Sequence, residues 1–105
     1  MLQYQLFFGR DIHGRAALTD REWRNFSDQV LTRQLPDGFT VFDADGQMMN
    51  PTTQQIFKER TKVVLVAVPD TAATAKAIAA VKDAYVTQFK QRSVGVIVHP
   101  TCAAF

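Results

Sequence analysis

The sequence predicts an α+β fold of the ferredoxin-like kind, a β-α-β-β-α-β chain with two helices on one face of a four-stranded antiparallel sheet. Three observations predict it. Hydrophobic periodicity switches between two and 3.6 residues in that order along the chain. The 105 residues fit a single domain spanning residues 1–105 and leave no room for two. The 47% hydrophobic and 21% charged fractions are those of a globular chain, not of a disordered one.

The first strand is expected over Tyr4–Gly9. Tyr4, Leu6 and Phe8 share one face, and Gln3, Gln5 and Phe7 the other. Arg10–Leu18 holds two glycines, an Asp and a His, and is expected to be a mobile surface loop. Thr19-Asp20-Arg21-Glu22 is a capping box that starts a helix. Trp23, Phe26 and Val30 form its apolar stripe, treated as core, and Pro36 stops it near Gln34.

Pro36-Asp37-Gly38 is a turn, with Gly38 in the left-handed region. Phe39–Phe42 is a short strand, and Asp45-Gly46 signals a hairpin turn. Asn50-Pro51 opens an irregular stretch. Lys58–Val68 is expected to be the longest strand, apolar on both faces in its second half as a central strand is. Pro69-Asp70-Thr71 starts a helix running to about Lys90, with Ile78, Val81 or Lys82, Tyr85 and Phe89 tracing its buried stripe and alanines allowing close approach to the sheet. Ser93–His99 is the last strand.

The fold leaves one sheet face uncovered, and that face carries Phe7, Ile97, His99 and part of the apolar third strand. So much exposed apolar surface calls for a cover. The candidates are a second copy, the segment Gln47–Phe57, or a ligand. A homodimer through the open sheet face is the expectation, since symmetric dimers are the commonest oligomers.

Several patterns suggest chemistry and fall short of it. Asp43-Ala44-Asp45-Gly46 begins like a calcium loop, but positions six and twelve are Met48 and Gln54, not Gly and Glu. His99 and Cys102 lack the further ligands of a zinc site, so no metal and no cofactor is expected, and Cys102 is expected to be buried and inert. With one Cys there is no internal disulfide. Arg10 and Arg15 offer an anion two guanidinium groups, without the glycine pattern of a phosphate loop. In Lys58-Glu59-Arg60-Thr61-Lys62, Arg60 and Lys62 share one face and Glu59 and Thr61 the other, which reads as a solvated strand end or as a base beside cations. Glu59 and Lys62 are a possible pair.

The net charge of +2, with dispersed basic residues, argues against nucleic acid and acidic membranes as partners. No apolar run reaches the length of a membrane span, and the N-terminus has no signal-peptide pattern. Both suit the cytoplasm, and an exported protein freed of its signal would look the same.

The succession Phe8-Gly9-Arg10, Thr19-x-x-Glu22-Trp23-x-x-Phe26, Pro36-Asp37-Gly38-x-Thr40, Glu59-Arg60-Thr61-Lys62-Val63, Tyr85-x-x-x-Phe89, Ser93-Val94 and Cys102-Ala103-Ala104-Phe105 resembles a bacterial family, domain of unknown function 3574. The likeness covers nearly the whole chain. It departs from the family at Met48 and Met49, where members tend to have a Trp, and at Gln34-Leu35-Pro36, where they tend to have Arg-Phe-Pro. Many members carry a secretory or lipoprotein signal, which this N-terminus does not show. The resemblance implies no reaction. It does draw attention to Arg10, Glu59, Arg60, Lys62 and Tyr85 as ligand-binding candidates, to which the strand reading adds His99.

The functional expectation is a homodimeric, non-catalytic module that binds a small molecule or a protein segment. The alternative is a small acid–base enzyme in a cleft beside the sheet, with Glu59 or His99 as base and Arg10, Arg60 or Lys62 holding an anionic substrate. Its catalytic residues are otherwise unknown. Single-stranded nucleic acid on the open sheet ranks last, because the third strand is aliphatic where stacking needs aromatics.

Overall fold

A computed structural model describes all 105 residues. Strands β1 (Leu2–Gly9), β2 (Thr40–Met49), β3 (Ile56–Val68) and β4 (Gly95–Pro100) form one sheet in the order β2-β3-β1-β4. Every neighbouring pair is antiparallel. Two helices connect the strands. The first runs as Asp20–Phe26, a π-helical turn Ser27–Leu31 and a last turn Thr32–Gln34; the second is Ala72–Phe89.

The core is built where alternation and helical stripes meet. Tyr4, Leu6 and Phe8 of β1 and Val64 and Val66 of β3 point to the helices and are buried. Trp23, Phe26 and Leu31 answer from the first helix, and Ile78, Val81 and Tyr85 from the second. At the centre, Phe8 sits edge-on to Tyr85 and Trp23, with ring centroids 4.9 and 5.2 Å apart. The Thr19 box caps the first helix as its sequence demands: the Thr19 hydroxyl accepts from the Glu22 amide, and Glu22 accepts from the Thr19 amide.

The hairpin between β2 and β3 is longer than the sequence suggests. Asp45-Gly46 is not the turn; it lies in mid-strand, with Gly46 opposite Glu59. The turn falls at Asn50, whose side-chain oxygen accepts from the Thr52 and Thr53 amides, while Gln54 takes φ 61°. Alternating residues on both strands keep the ladder running past the Asp-Gly pair. β1 ends opposite Thr61, so the pairs from Asp45–Arg60 to Met49–Ile56 have no third strand beside them. They form a two-stranded arm that helps stretch the molecule to 44 × 28 × 22 Å. Gln47–Phe57 therefore projects outward and does not cover its own sheet.

Cys102 is exposed, against the expectation of a buried thiol. The chain turns away from the core after β4, and Thr101 is held only at its edge, its amide donating to the Met1 carbonyl at 2.9 Å. Val98 pairs with Tyr4 on the helix-facing side of the sheet, yet it is 46% exposed, because β4 is an edge strand. No helix is long and apolar enough to cross a membrane.

Candidate functional site

Most of the polar candidates gather where β1 gives way to the following loop. Arg10 is buried, and its backbone and side chain both close that loop. Its amide donates to the Arg60 carbonyl at 3.0 Å, and its carbonyl accepts from Leu18 at 2.8 Å. Its Nε and Nη2 donate to the Leu18 carbonyl at 3.0 and 2.6 Å, and Nη2 also reaches Asp20 at 3.1 Å. Nη1 is buried without a partner. Arg15 forms a fork with Glu22 at 2.9 and 2.6 Å. Both arginines of the supposed anion loop thus hold protein groups, and the loop is braced at its two ends.

Glu59 does not pair with Lys62. Alternation sends the two to opposite faces. Glu59 lies over Gly9 and accepts from the Asp11 amide at 2.9 Å. A Cβ on Gly9 would come within 2.6 Å of the Glu59 carboxylate and push that side chain aside, so this glycine makes room for the Glu59–Asp11 contact; its φ is not positive. Lys62 instead donates to Asp43 at 2.6 Å across the β2–β3 ladder, with Asp20 at 3.9 Å. The Lys62 ammonium holds the Asp43 carboxyl below its ordinary range. Tyr85 buries its ring, and its hydroxyl donates to the Gly9 carbonyl at 2.6 Å. Burial raises the Tyr85 pKa, and the nearby Glu59 charge raises it further.

Arg60 is exposed on the arm opposite Asp45. His99 is exposed on β4, opposite Gln3 on the open face. The structure therefore brings together Arg10, Lys62, Glu59 and Tyr85 at one end of the sheet, and leaves Arg60 and His99 apart from them. No group of three His, Cys, Asp or Glu side chains gathers where a metal ion would sit.

The principal cavity lies at the other end. It measures about 960 Å³ and opens between the Leu35–Thr40 connection, the end of β3 and the first turns of the second helix. Met1 and, from β1, Gln3 border it, as do Thr101, Ala103 and Phe105 of the C-terminal segment. None of the six candidate side chains lines it. Its walls are largely apolar, with Thr40, Thr71, Thr74 and Asp37 as polar points. The space exists because the helix begins with small residues: Ala73 and Ala77 stand where larger side chains would fill it. Those alanines, read from sequence as allowing close approach, here leave a gap. Gly38, at φ 119°, turns the chain along the opposite wall. The available signals were the small residues after Thr71 and the Pro36-Asp37-Gly38 turn, neither of which names a ligand.

A family model described as "Protein of unknown function (DUF3574)" matches residues 3–105. The chain belongs to this family. No curated protein matches the sequence. Among solved structures, a phage SAM lyase in complex with S-methyl-5'-thioadenosine is similar at a TM-score of 0.67 and 14% identity, over 93% of this chain and 79% of that one. The same enzyme in its apo state matches at 0.67 and 15%, over 93% and 78%. At such identity the likeness establishes the fold alone.

Proposed function

We propose that this member of DUF3574 is a homodimeric small-molecule-binding module, its ligand held in the cavity at the end of the sheet and its two copies joined through the open sheet face. The cavity carries this reading. Its volume falls in the range of about 300–1,000 Å³ typical of ligand sites, and its apolar walls with a few polar points are what such sites use. The strand order and connections support assigning the fold to the ferredoxin-like class. A protein of similar fold is described with a bound thio-nucleoside, so purine nucleosides and their thioethers are the first ligands to try.

The test is a nucleoside and thioether panel followed by amide NMR shifts. Saturable shifts centred on Thr74 and Ala77, abolished by Ala77→Phe, are expected. Binding that survives Ala77→Phe, or no binding by any panel member together with a monomeric mass in light scattering, would sink the proposal.

The acid–base alternative has one observation in its favour, the partnerless Nη1 of buried Arg10 near Lys62. Glu59, its proposed base, is already committed to the Asp11 amide. Turnover of an anionic substrate that disappears in Glu59→Gln while the fold survives would restore it.

A further inference from the structure

The charges around the cavity narrow what it can hold. Of the 21 residues that border it, only Asp37 has an ionisable side chain. The chain has twelve lysines and arginines and two histidines, and none of them lines it. Arg10 and Lys62, the buried cations, lie at the other end of the sheet and are held there by Leu18, Asp20 and Asp43. A second acid, Asp70, stands beside the rim between Pro69 and Thr71, which both border the cavity. Asp37 and Asp70 are exposed, and neither belongs to an ion pair, so no cation of the chain neutralises them.

The start of the second helix opposes these acids weakly. Its dipole favours negative charge, but the effect fades beyond the first turn, and Asp70 lies one residue before the Thr71 cap. The Thr71 hydroxyl already accepts from the Thr74 amide at 3.2 Å, and the Thr71 carbonyl accepts from Ala75. The amides of Ala72 and Ala73 precede the first helical bond and can donate to a neutral acceptor as well as to an anion. The other polar groups on the walls are threonine hydroxyls and the amides of Gln3 and Gln34, which serve an uncharged ligand.

A phosphate or carboxylate entering this space would give up water, meet no cation and sit near a carboxylate of its own sign. An uncharged molecule meets neither cost. An amine or onium group gains from Asp37 and from the rings of Phe39 and Phe105, whose faces attract cations. Given that the cavity is the ligand site, as proposed above, we infer that it selects against negative charge: one molecular body binds best as a cation, next as a neutral molecule and worst as an anion. Its ligands are then nucleosides, thioethers or amines, and not nucleotides or acyl anions.

Two matched sets of probes test this on the full chain. N-phenylnaphthylamine and anilinonaphthalene sulfonate differ by one sulfonate group and are read by fluorescence. Adenosine, its 5'-amine and its 5'-phosphate share one body and are read by calorimetry. Binding lost in Ala77→Phe is assigned to the cavity, and Ala73→Leu, at an exposed position on the same wall, makes the same assignment if Ala77→Phe does not fold. The neutral dye is expected to bind the cavity at least about tenfold more tightly than the sulfonate. The nucleosides should rank amine, adenosine, phosphate. Replacing both exposed acids, Asp37→Lys with Asp70→Lys, should shift the anion-to-neutral ratio by about fivefold or more towards the anion. Either set decides the ranking alone. An anionic probe bound in the cavity as tightly as its neutral partner, or a ratio that the two lysines leave unmoved, overturns the charge selection and leaves the cavity as a ligand site. If no probe of either set binds in a way that the wall substitutions remove, both the site and its selectivity fall.

Discussion

The polar residues at the end of β1 interlock as structure, and their energetics are open to direct test. Glu59 occupies the space that Gly9 leaves and accepts the Asp11 amide there. In Gly9→Ala the new methyl displaces the carboxylate, so the substitution and Glu59→Gln disturb one contact. Each single change is expected to cost about 1–2 kcal/mol. The double change should cost clearly less than their sum, since residues in contact are not additive. Denaturant melts of the four proteins decide it, and strict additivity would mean that Gly9 is required for another reason. Glu22 makes a second prediction. The Arg15 guanidinium and then the Thr19 amide hold its carboxyl at about 2, below an ordinary value of 4.5. A depressed folded-state pKa contributes stability in full above 4.5, and that contribution is lost as pH falls towards 2. Glu22→Gln should flatten the fall in melting temperature across that window while leaving the acid limb of the other carboxylates in place. An unchanged slope would show that the fork with Arg15 does not persist in solution.

At the scale of elements, the legible parts were those set by local rules. The Thr19 box, the stripe through Trp23 and Phe26 and the alternation of Tyr4, Leu6 and Phe8 each needed only neighbours in sequence, and each stands as read. The Asp45-Gly46 pair was misleading because a turn signal competes with pairing. Here the ladder prevails: Gly46 sits opposite Glu59, and Asn50, four residues on towards the loop tip, supplies a side-chain acceptor for two amides. Arg10 was misplaced for a related reason. A polar residue in a glycine-containing stretch looks exposed, yet its guanidinium satisfies a carbonyl and a carboxylate that lie eight and ten residues away. The cavity was not legible at all, because it is defined by side chains that are small or absent, and a run of alanines reads as good helix before it reads as space.

At the scale of the whole molecule, charge and shape make the last prediction. The net charge is only +2, and the open face is lined by Phe7, Phe42, Val63, Leu65 and Ile97, with no Lys or Arg along the pairs that carry them. An association driven by that face should draw on apolar burial and not on ion pairs. Charge-driven binding weakens as the Debye length shrinks, from about 10 Å at 0.1 M salt to about 3 Å at 1 M. Apolar burial is indifferent to such screening, and it weakens on cooling because its heat-capacity change is large. The association constant of the proposed homodimer, measured by sedimentation across that salt range, should therefore change less than about threefold, far short of the decades expected when several charges pair. Measured from room temperature down towards freezing, it should weaken. A steep loss with salt would instead place the contact on the arm's charged face, where Asp45, Lys58 and Arg60 lie, and would turn the interface over to the other side of the same ribbon.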